Sequence, residues 1–392
     1  MRTRRYALVA GGGTGGHLVP ALAVARALGE GLGPGAVELV GARRGLDAEL
    51  LAAQGVPVTL LPGRGIARHL DARSLVANAG AVAGLAVAFA AAVVIVVRRR
   101  PSVVVAMGGY ASVPTALAAA LVGVPVVLVN VDAVPGAANR LVGRVARAAA
   151  VAFEGTALPR AVVTGVPVRA EIVAGAHPDA RARSAARDAL GLPPDRLVVA
   201  AVGGSLGSTR LNQAVIGLAG LWAARADVAL FHVVGRRDAS WAITGAPDAA
   251  GARADAGGLC YVQVPYEDRM TLFYQAADIV VSRAGANTVA ELAVVGVPAI
   301  LVPLPGAPGD HQGANAAVLA RAGAAVVLPD AECDAPRLAQ EVDALASDPA
   351  RLDAMRSAAR SLGRPDAVAA VAALARAHAR APHGGARAAH AH

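Results

Sequence analysis

Between the apolar stretch Tyr6–Val9 and the helical pattern Val19–Leu28 lies the run Gly11-Gly12-Gly13-Thr14-Gly15-Gly16-His17. Five glycines and a histidine at a strand-to-helix turn form an anion cradle. The backbone can approach a phosphate without Cβ interference, and the first free amides of the helix point at the charge with its positive dipole end. His17 adds an imidazole that titrates near neutrality. A tight turn that only packs helix on strand uses the same glycines, so the other polar clusters must decide.

Those clusters recur after apolar runs. Gly108-Gly109-Tyr110-Ala111-Ser112, Asn130-Val131-Asp132 and Thr164-Gly165-Val166-Pro167-Val168-Arg169 lie in the first half of the chain. In the second half, Gly203-Gly204-Ser205-Leu206-Gly207 repeats the glycine turn. Ser282-Arg283-Ala284-Gly285-Ala286-Asn287-Thr288 leads into a helical pattern carrying Glu291, and Gly309-Asp310-His311-Gln312 precedes Asn315.

The elements that position these clusters alternate strand and helix. Tyr6–Val9, Val37–Val40, Val58–Leu61, Val103–Ala106, Val126–Val129 and Ala150–Phe153 are strand candidates of the first half. Leu197–Val202, Val228–Val233, Tyr261–Val264, Ile279–Val281, Ala299–Val302 and Ala325–Leu328 are those of the second. Continuous apolar strands separated by helices imply parallel, doubly wound sheets, and ligands of such sheets sit at the carboxyl ends of the strands. The expectation is α/β, two Rossmann-like halves with a cleft between them. The stretch from Arg169 to Pro194, rich in Ala, Arg, Asp and Pro, reads as their junction, and His378–His392 as a loose tail.

With 392 residues and 55% apolar composition, the chain can fill two cores. An excess of 37 Lys+Arg over 28 Asp+Glu, net +9, suits an anionic partner, while 3% aromatics leaves few stacking platforms for single-stranded nucleic acid. Nucleotide or anionic lipid therefore ranks above nucleic acid. Cys260 and Cys333 form no CxxC, which argues against a zinc site or a disulfide framework and for a reducing compartment. No secretory signal opens the chain. Leu75–Val97 carries no charge and is followed by Arg98-Arg99-Arg100. By length and flank it could be a membrane span, a buried crossover helix, or an interfacial helix with a basic collar; Ala, Gly and Asn78 within it weaken the first reading.

Taken in order, GGGTGGH (11–17), GGYAS (108–112), PGAANR (135–140), GVPVR (165–169), GGSLGS (203–208), SRAGANTVAELAVVGVPAILVPLP (282–305) and DHQGANA (310–316) resemble the MurG family of peptidoglycan glycosyltransferases over about residues 5 to 365. The resemblance implies a GT-B fold with four parts. They are 1–168, an acceptor and membrane-facing domain; 169–362, a UDP-sugar domain; 363–377, a helix packing back on the first domain; and 378–392, a flexible tail. It implies inverting transfer of N-acetylglucosamine from UDP-N-acetylglucosamine to the C4 hydroxyl of undecaprenyl-pyrophosphoryl-muramyl-pentapeptide (lipid I), at the cytoplasmic face of an anionic membrane. No nucleic acid, cofactor or metal is implied.

Carried over residue by residue, the amides around Ala286, Asn287 and Thr288 resemble the family's diphosphate-binding helix start, with Ser205 assisting, and Val289 and Ala290 belong to the same donor-binding motif. Glu291 would accept hydrogen bonds from the ribose hydroxyls; its bland alternative is a solvated helix charge. The backbone of Glu267 would meet uracil, Gln312 the sugar hydroxyls, and Asn315 either ligand or loop. Arg169 resembles a donor-contacting arginine, and Arg169 or Arg283 could steady the departing UDP. Thr14, Gly15 and Gly16 would bind near the acceptor pyrophosphate, and His17 would be the general base.

The chain departs from the family pattern at Val129-Asn130-Val131-Asp132, where His-Glu-Gln-Asn is usual, at Leu206 in place of glutamine, and at Val166 in place of asparagine. Asp132 replaces a sugar-contacting amide with an acceptor-only group. This leaves two alternatives, a related UDP-sugar transferase with another acceptor and a UDP-sugar-binding protein without turnover. A dinucleotide oxidoreductase would use an acid about twenty residues past the glycine turn, near Glu38, but one dinucleotide site does not account for two glycine turns.

Overall fold

The structure is a computed structural model and describes residues 5–12, 15–42, 55–62, 72–243 and 257–381. The described chain divides into two units, one of residues 5–131, 135–167 and 366–381, the other of 132–134 and 168–365.

The first unit holds seven parallel strands, β1 (Ala7–Gly12), β2 (Val37–Ala42), β3 (Val58–Leu61), β4 (Val103–Gly109), β5 (Val126–Asn130), β6 (Ala148–Val151) and β7 (Ala161–Val163), in the order β3-β2-β1-β4-β5-β6-β7. Ala7 pairs with Val37 on one side and Val103 on the other, so the order reverses between β1 and β4. That reversal is the switch point where open α/β sheets bind ligands. Ser112, buried at the start of the helix Ser112–Leu121, bridges it, donating to Ala10 O and Gly108 O at 2.7 Å.

Leu75–Val97 lies within the helix Ala72–Arg99. Its Ala88, Ala92 and Val96 pack with Leu8, Val104 and Leu128 in the unit's core. Among the described residues no helix is long and apolar enough to cross a membrane. The basic collar is smaller than its sequence suggests. Arg99 is tied to the buried Glu38 at 2.9 Å, together with Arg5 and Thr59, while Arg98 and Arg100 stay exposed. Glu38 sits at the amino end of β2, away from the carboxyl ends, so it cannot play the ribose-binding acid of a dinucleotide site.

The second unit holds β8 (Leu197–Val202), β9 (Val228–Val233), β10 (Cys260–Val264), β11 (Ile279–Ser282), β12 (Ala299–Leu301) and β13 (Ala325–Val327), all parallel, in the order β10-β9-β8-β11-β12-β13. Its switch point falls between β8 and β11. The two motifs that follow these strands, 203–208 and 282–288, are therefore brought side by side. One core on this sheet joins Val199, Leu211, Leu230, Ile279, Ile300, Leu338 and Met355.

The structure details three segments. Residues 169–194, read from composition as the junction, hold the helices Ala170–Ala174 and Ala180–Ala189 within the second unit, the latter capped by Asp179 Oδ1 accepting from Ala182 N at 2.7 Å. The last helix, Ala367–His378, packs on the first unit, where Arg376 donates to Ala27 O at 2.5 Å. The chain beyond it is held to Arg380, whose amide donates to Ser102 O at 2.9 Å. Finally, β7 was not expected, because three exposed residues at a sheet edge carry no buried-strand signature.

Candidate functional site

Glu291 belongs to the helix Ala286–Val295, whose N-cap Gly285 offers no side chain. The amides of Ala286, Asn287 and Thr288 open this helix, and an anion is the natural acceptor for such a turn. The series stops there: Val289 is fully buried and its amide donates to Gly285 O at 3.0 Å, so it presents neither side chain nor amide to a ligand. Ala290 follows it, half-buried.

One turn on, Glu291 points inward. Tyr274 Oη donates to its Oε2 at 2.7 Å, and Arg169 Nη2 lies 3.4 Å from its Oε1. Burial pushes the Glu291 carboxyl above its usual range, with Arg169 and Tyr274 pulling the other way. Burial, reinforced by the Glu291 charge, raises the Tyr274 hydroxyl well above its ordinary value, so it stays a donor. A solvated helix carboxylate is excluded by this geometry. Tyr274 was not singled out from the sequence; an aromatic in the short helix Met270–Ala276 looks like any core residue there.

The turn 203–207 is closed by backbone. Gly204 and Gly207 have φ of +92° and +89°, Gly207 N donates to Gly204 O at 2.9 Å, and a Cβ on Gly207 would strike Val234 O. Arg236 N and Arg237 N donate to Ser205 O and Leu206 O, both at 3.3 Å, fixing the turn while the Ser205 and Leu206 side chains stay exposed. Arg283 joins this turn to the next strand: Nε donates to Ser208 Oγ at 2.9 Å, Nη1 to Val302 O and Pro303 O at 3.1 and 3.2 Å, and Asp330 lies 2.6 Å away. Its charge is thus compensated by Asp330, and its Nε and Nη1 are engaged within the unit.

Asn315 is fully buried and makes three bonds. Its Oδ1 accepts from Ala133 N at 2.8 Å, and its Nδ2 donates to Asp132 Oδ1 at 3.0 Å and to Ala284 O at 3.3 Å. It is a loop brace, and it explains why 132–134 belong with the second unit. Asp132 accordingly serves as an acceptor for Asn315. Gln312 Oε1 accepts from Ala284 N and Leu304 N at 3.2 and 3.0 Å, which fixes the orientation of its amide. Burial raises the Glu267 carboxyl, but bonds from the Arg269 side chain and amide outweigh it and hold the group below its usual value. That clamp sets the backbone at 267.

In the first unit, Gly15, Gly16 and His17 begin the helix Gly15–Gly29; Thr14 and the side chains of 12–17 lie outside the described residues. Asn130, the other departure, ends β5 buried, with Oδ1 accepting from Asn139 Nδ2 at 2.8 Å. Among the described residues no group of three His, Cys, Asp or Glu side chains is placed to hold a metal.

Comparison with known proteins agrees with this architecture. The glycosyltransferase family 28 N-terminal domain matches residues 7–151 and its C-terminal domain matches 198–371. A UDP-N-acetylglucosamine–N-acetylmuramyl-(pentapeptide) pyrophosphoryl-undecaprenol N-acetylglucosamine transferase of Desulforudis audaxviator is 39% identical over 368 residues, 92% of this chain and 95% of its own. The protein of the same name from Alkalilimnicola ehrlichii is 42% identical over 377 residues, 93% and 96% of the two chains. A crystal structure of Acinetobacter baumannii MurG superposes with a TM-score of 0.72 at 29% identity, covering 95% of this chain and 99% of that one.

Proposed function

The chain belongs to glycosyltransferase family 28 and, within it, to the MurG N-acetylglucosamine transferases, and from that membership we propose how its residues divide the work. The enzyme transfers N-acetylglucosamine from UDP-N-acetylglucosamine to the muramyl-pentapeptide of lipid I, giving lipid II for peptidoglycan.

The observation that supports the donor site most is the buried Glu291 carboxylate behind a helix start with no side-chain cap. The amides of 286–288, with Ser205, take the diphosphate. Glu291 accepts from both ribose hydroxyls, uracil meets the main chain at Glu267, and the Gln312 NH2 group donates to the sugar. His17 removes the C4 proton as that oxygen attacks the anomeric carbon. The new C–O bond forms as the bond to the diphosphate breaks on the opposite face, which inverts the centre. Charge growing on UDP is met by the helix dipole and Arg169. No cofactor takes part.

The first unit is the membrane-facing one. Along the helix Ala72–Arg99, Val87, Val94 and Val97 form an exposed apolar stripe that ends at exposed Arg98 and Arg100. A groove of Val96, Val97, Val122 and Val124 carries Arg100 and Arg380 at its rim. Apolar stripe plus basic collar suits peripheral seating on anionic lipid at the cytoplasmic face, and nucleic acid is not a partner.

The test is transfer from radiolabelled UDP-N-acetylglucosamine to a short-chain lipid I analogue, for wild type, His17→Ala and Glu291→Gln. Wild type makes product, His17→Ala loses most of kcat, and Glu291→Gln raises the donor KM. UDP binding without transfer to this acceptor overturns the acceptor assignment. Full activity of His17→Ala removes the base role. Pelleting with anionic vesicles that is indifferent to lipid charge and to Arg98→Gln/Arg100→Gln removes the membrane role.

A further inference from the structure

At the amino ends of β8 and β11, opposite the donor turns, four arginines gather around two carboxylates. Asp278, immediately before β11, receives Arg187 Nη2 at 2.7 Å, Arg183 Nη1 at 3.2 Å and Val198 N at 2.9 Å, with Arg356 Nη2 3.8 Å away. Arg187 is buried, and its other donors are engaged by the carbonyls of Ala276, Pro194 and Arg196. Arg356 leans on Asp353 at 2.8 Å. Arg360 lies across Gly296, the left-handed residue that ends the Ala286–Val295 helix; a Cβ there would sit 2.5 Å from Arg360 Cγ. Among the described residues the Arg360 guanidinium makes no hydrogen bond or ion pair, while its backbone carbonyl accepts from Gly363 N at 3.1 Å.

Two carboxylates against four guanidinium groups leave the cluster positive around a small recess lined by Arg183, Arg356, Arg360, Tyr274, Pro178 and Gly175. Burial, with the neighbouring arginines adding to it, pushes Arg183 down despite Asp278, and burial followed by Arg360 pushes His177 down. Guanidinium forks converging on a recess match the oxygens of a tetrahedral anion.

We propose that this recess binds a phosphate-class oxyanion and that its occupancy tightens donor binding. The route is short. Tyr274 walls the recess and donates its hydroxyl to Glu291. Gln275 Nε2 donates at 2.9 Å to Gly175 O, in the loop after the helix that Arg169 precedes. An anion bridging Arg183 and Arg360 pins this loop, so UDP meets a Glu291–Arg169–Tyr274 group that is already ordered. The coupling, though not the site, rests on the donor reading above.

The probe is inorganic phosphate, followed by equilibrium dialysis with the full chain at constant ionic strength held with chloride, with and without saturating UDP. Wild type binds phosphate at one saturable site that UDP does not displace, and phosphate lowers the Kd for UDP several-fold. Arg360→Gln and Arg356→Gln/Arg360→Gln weaken phosphate binding by about tenfold or more, as loss of charge-assisted bonds requires, and abolish the effect on UDP. Both variants keep the wild-type UDP Kd in the absence of phosphate, which shows that they fold. Displacement of phosphate by UDP, equal phosphate binding by wild type and variants, or a UDP Kd that ignores phosphate overturns the proposal. Failure of wild type to bind UDP at all, with phosphate still bound, would instead sink the donor-site reading.

Discussion

Tyr274 Oη donates to Glu291 Oε2 at 2.7 Å inside the second unit, so the carboxylate proposed for the ribose diol is held by a hydroxyl that burial keeps protonated. Only the Oε1 side, where Arg169 stands off at 3.4 Å, is loosely held. A weak ion pair is easily exchanged for two ribose hydroxyls, whereas the short bond to Tyr274 fixes where they must arrive.

Tyr274→Phe removes that bond and leaves a buried oxygen short of a donor, at a cost of about 1–3 kcal/mol. The Glu291 pKa rises further, because the Tyr274 bond was lowering it. The expected outcome is a lower Tm and a donor KM raised several-fold with kcat nearly unchanged. Unaltered Tm and UDP affinity, measured by calorimetry, would show that the pairing is idle.

Arg169 and Arg283 should separate cleanly. Arg283 has its guanidinium on Ser208, two carbonyls and Asp330, so Arg283→Met strands buried partners and costs about 3–5 kcal/mol, seen as a large fall in Tm. Arg169 is partly exposed and has one loose partner, so Arg169→Met loses turnover with little change in Tm. The reverse pattern would exchange their roles.

Much of the architecture was legible because buried parallel strands are apolar runs and their ligand loops are glycine turns. The 203–208 and 282–288 motifs could be placed at strand ends before any pairing was known. What stayed illegible depends on long-range partners. Nothing local marks Tyr274 as the donor to Glu291, or Arg99 as the partner of Glu38 61 residues away. Residues 169–194 read as a junction because Ala-Arg-Asp-Pro composition describes a solvated surface helix equally well. Val289 shares the motif, but a helix start offers only its first amides, and the Val289 amide is already bonded to Gly285 O.

Asp132→Asn is expected to be mild. The replacement can still present an oxygen to Asn315 Nδ2, so stability shifts by less than about 1 kcal/mol. Asn315→Ala removes three bonds at a fully buried site and costs more, about 2–4 kcal/mol. Urea unfolding of both variants checks the order. If Asp132→Asn proves the more damaging, the brace assignment fails.

The last prediction concerns acid. His232 lies fully buried in β9. Asn212 Nδ2 donates to Val234 O and Asp238 Oδ2, so its Oδ1 must accept, at 3.0 Å, the proton of His232 Nε2. Nδ1 then accepts from the Tyr261 hydroxyl at 2.9 Å, which burial keeps protonated. The ring is neutral, and burial lowers its pKa to about 3 from the ordinary 6.5. Between those values the unfolded chain binds a proton that the folded chain does not, so stability falls as pH drops through 6.5 toward 3, with a slope approaching about 1.4 kcal/mol per pH unit from this group. His232→Gln should unfold more readily at pH 7, having lost the shape of the Tyr261–Asn212 link, yet show a flatter acid limb. Parallel acid limbs for variant and wild type, followed by urea unfolding at each pH, would mean that another group controls the acid sensitivity.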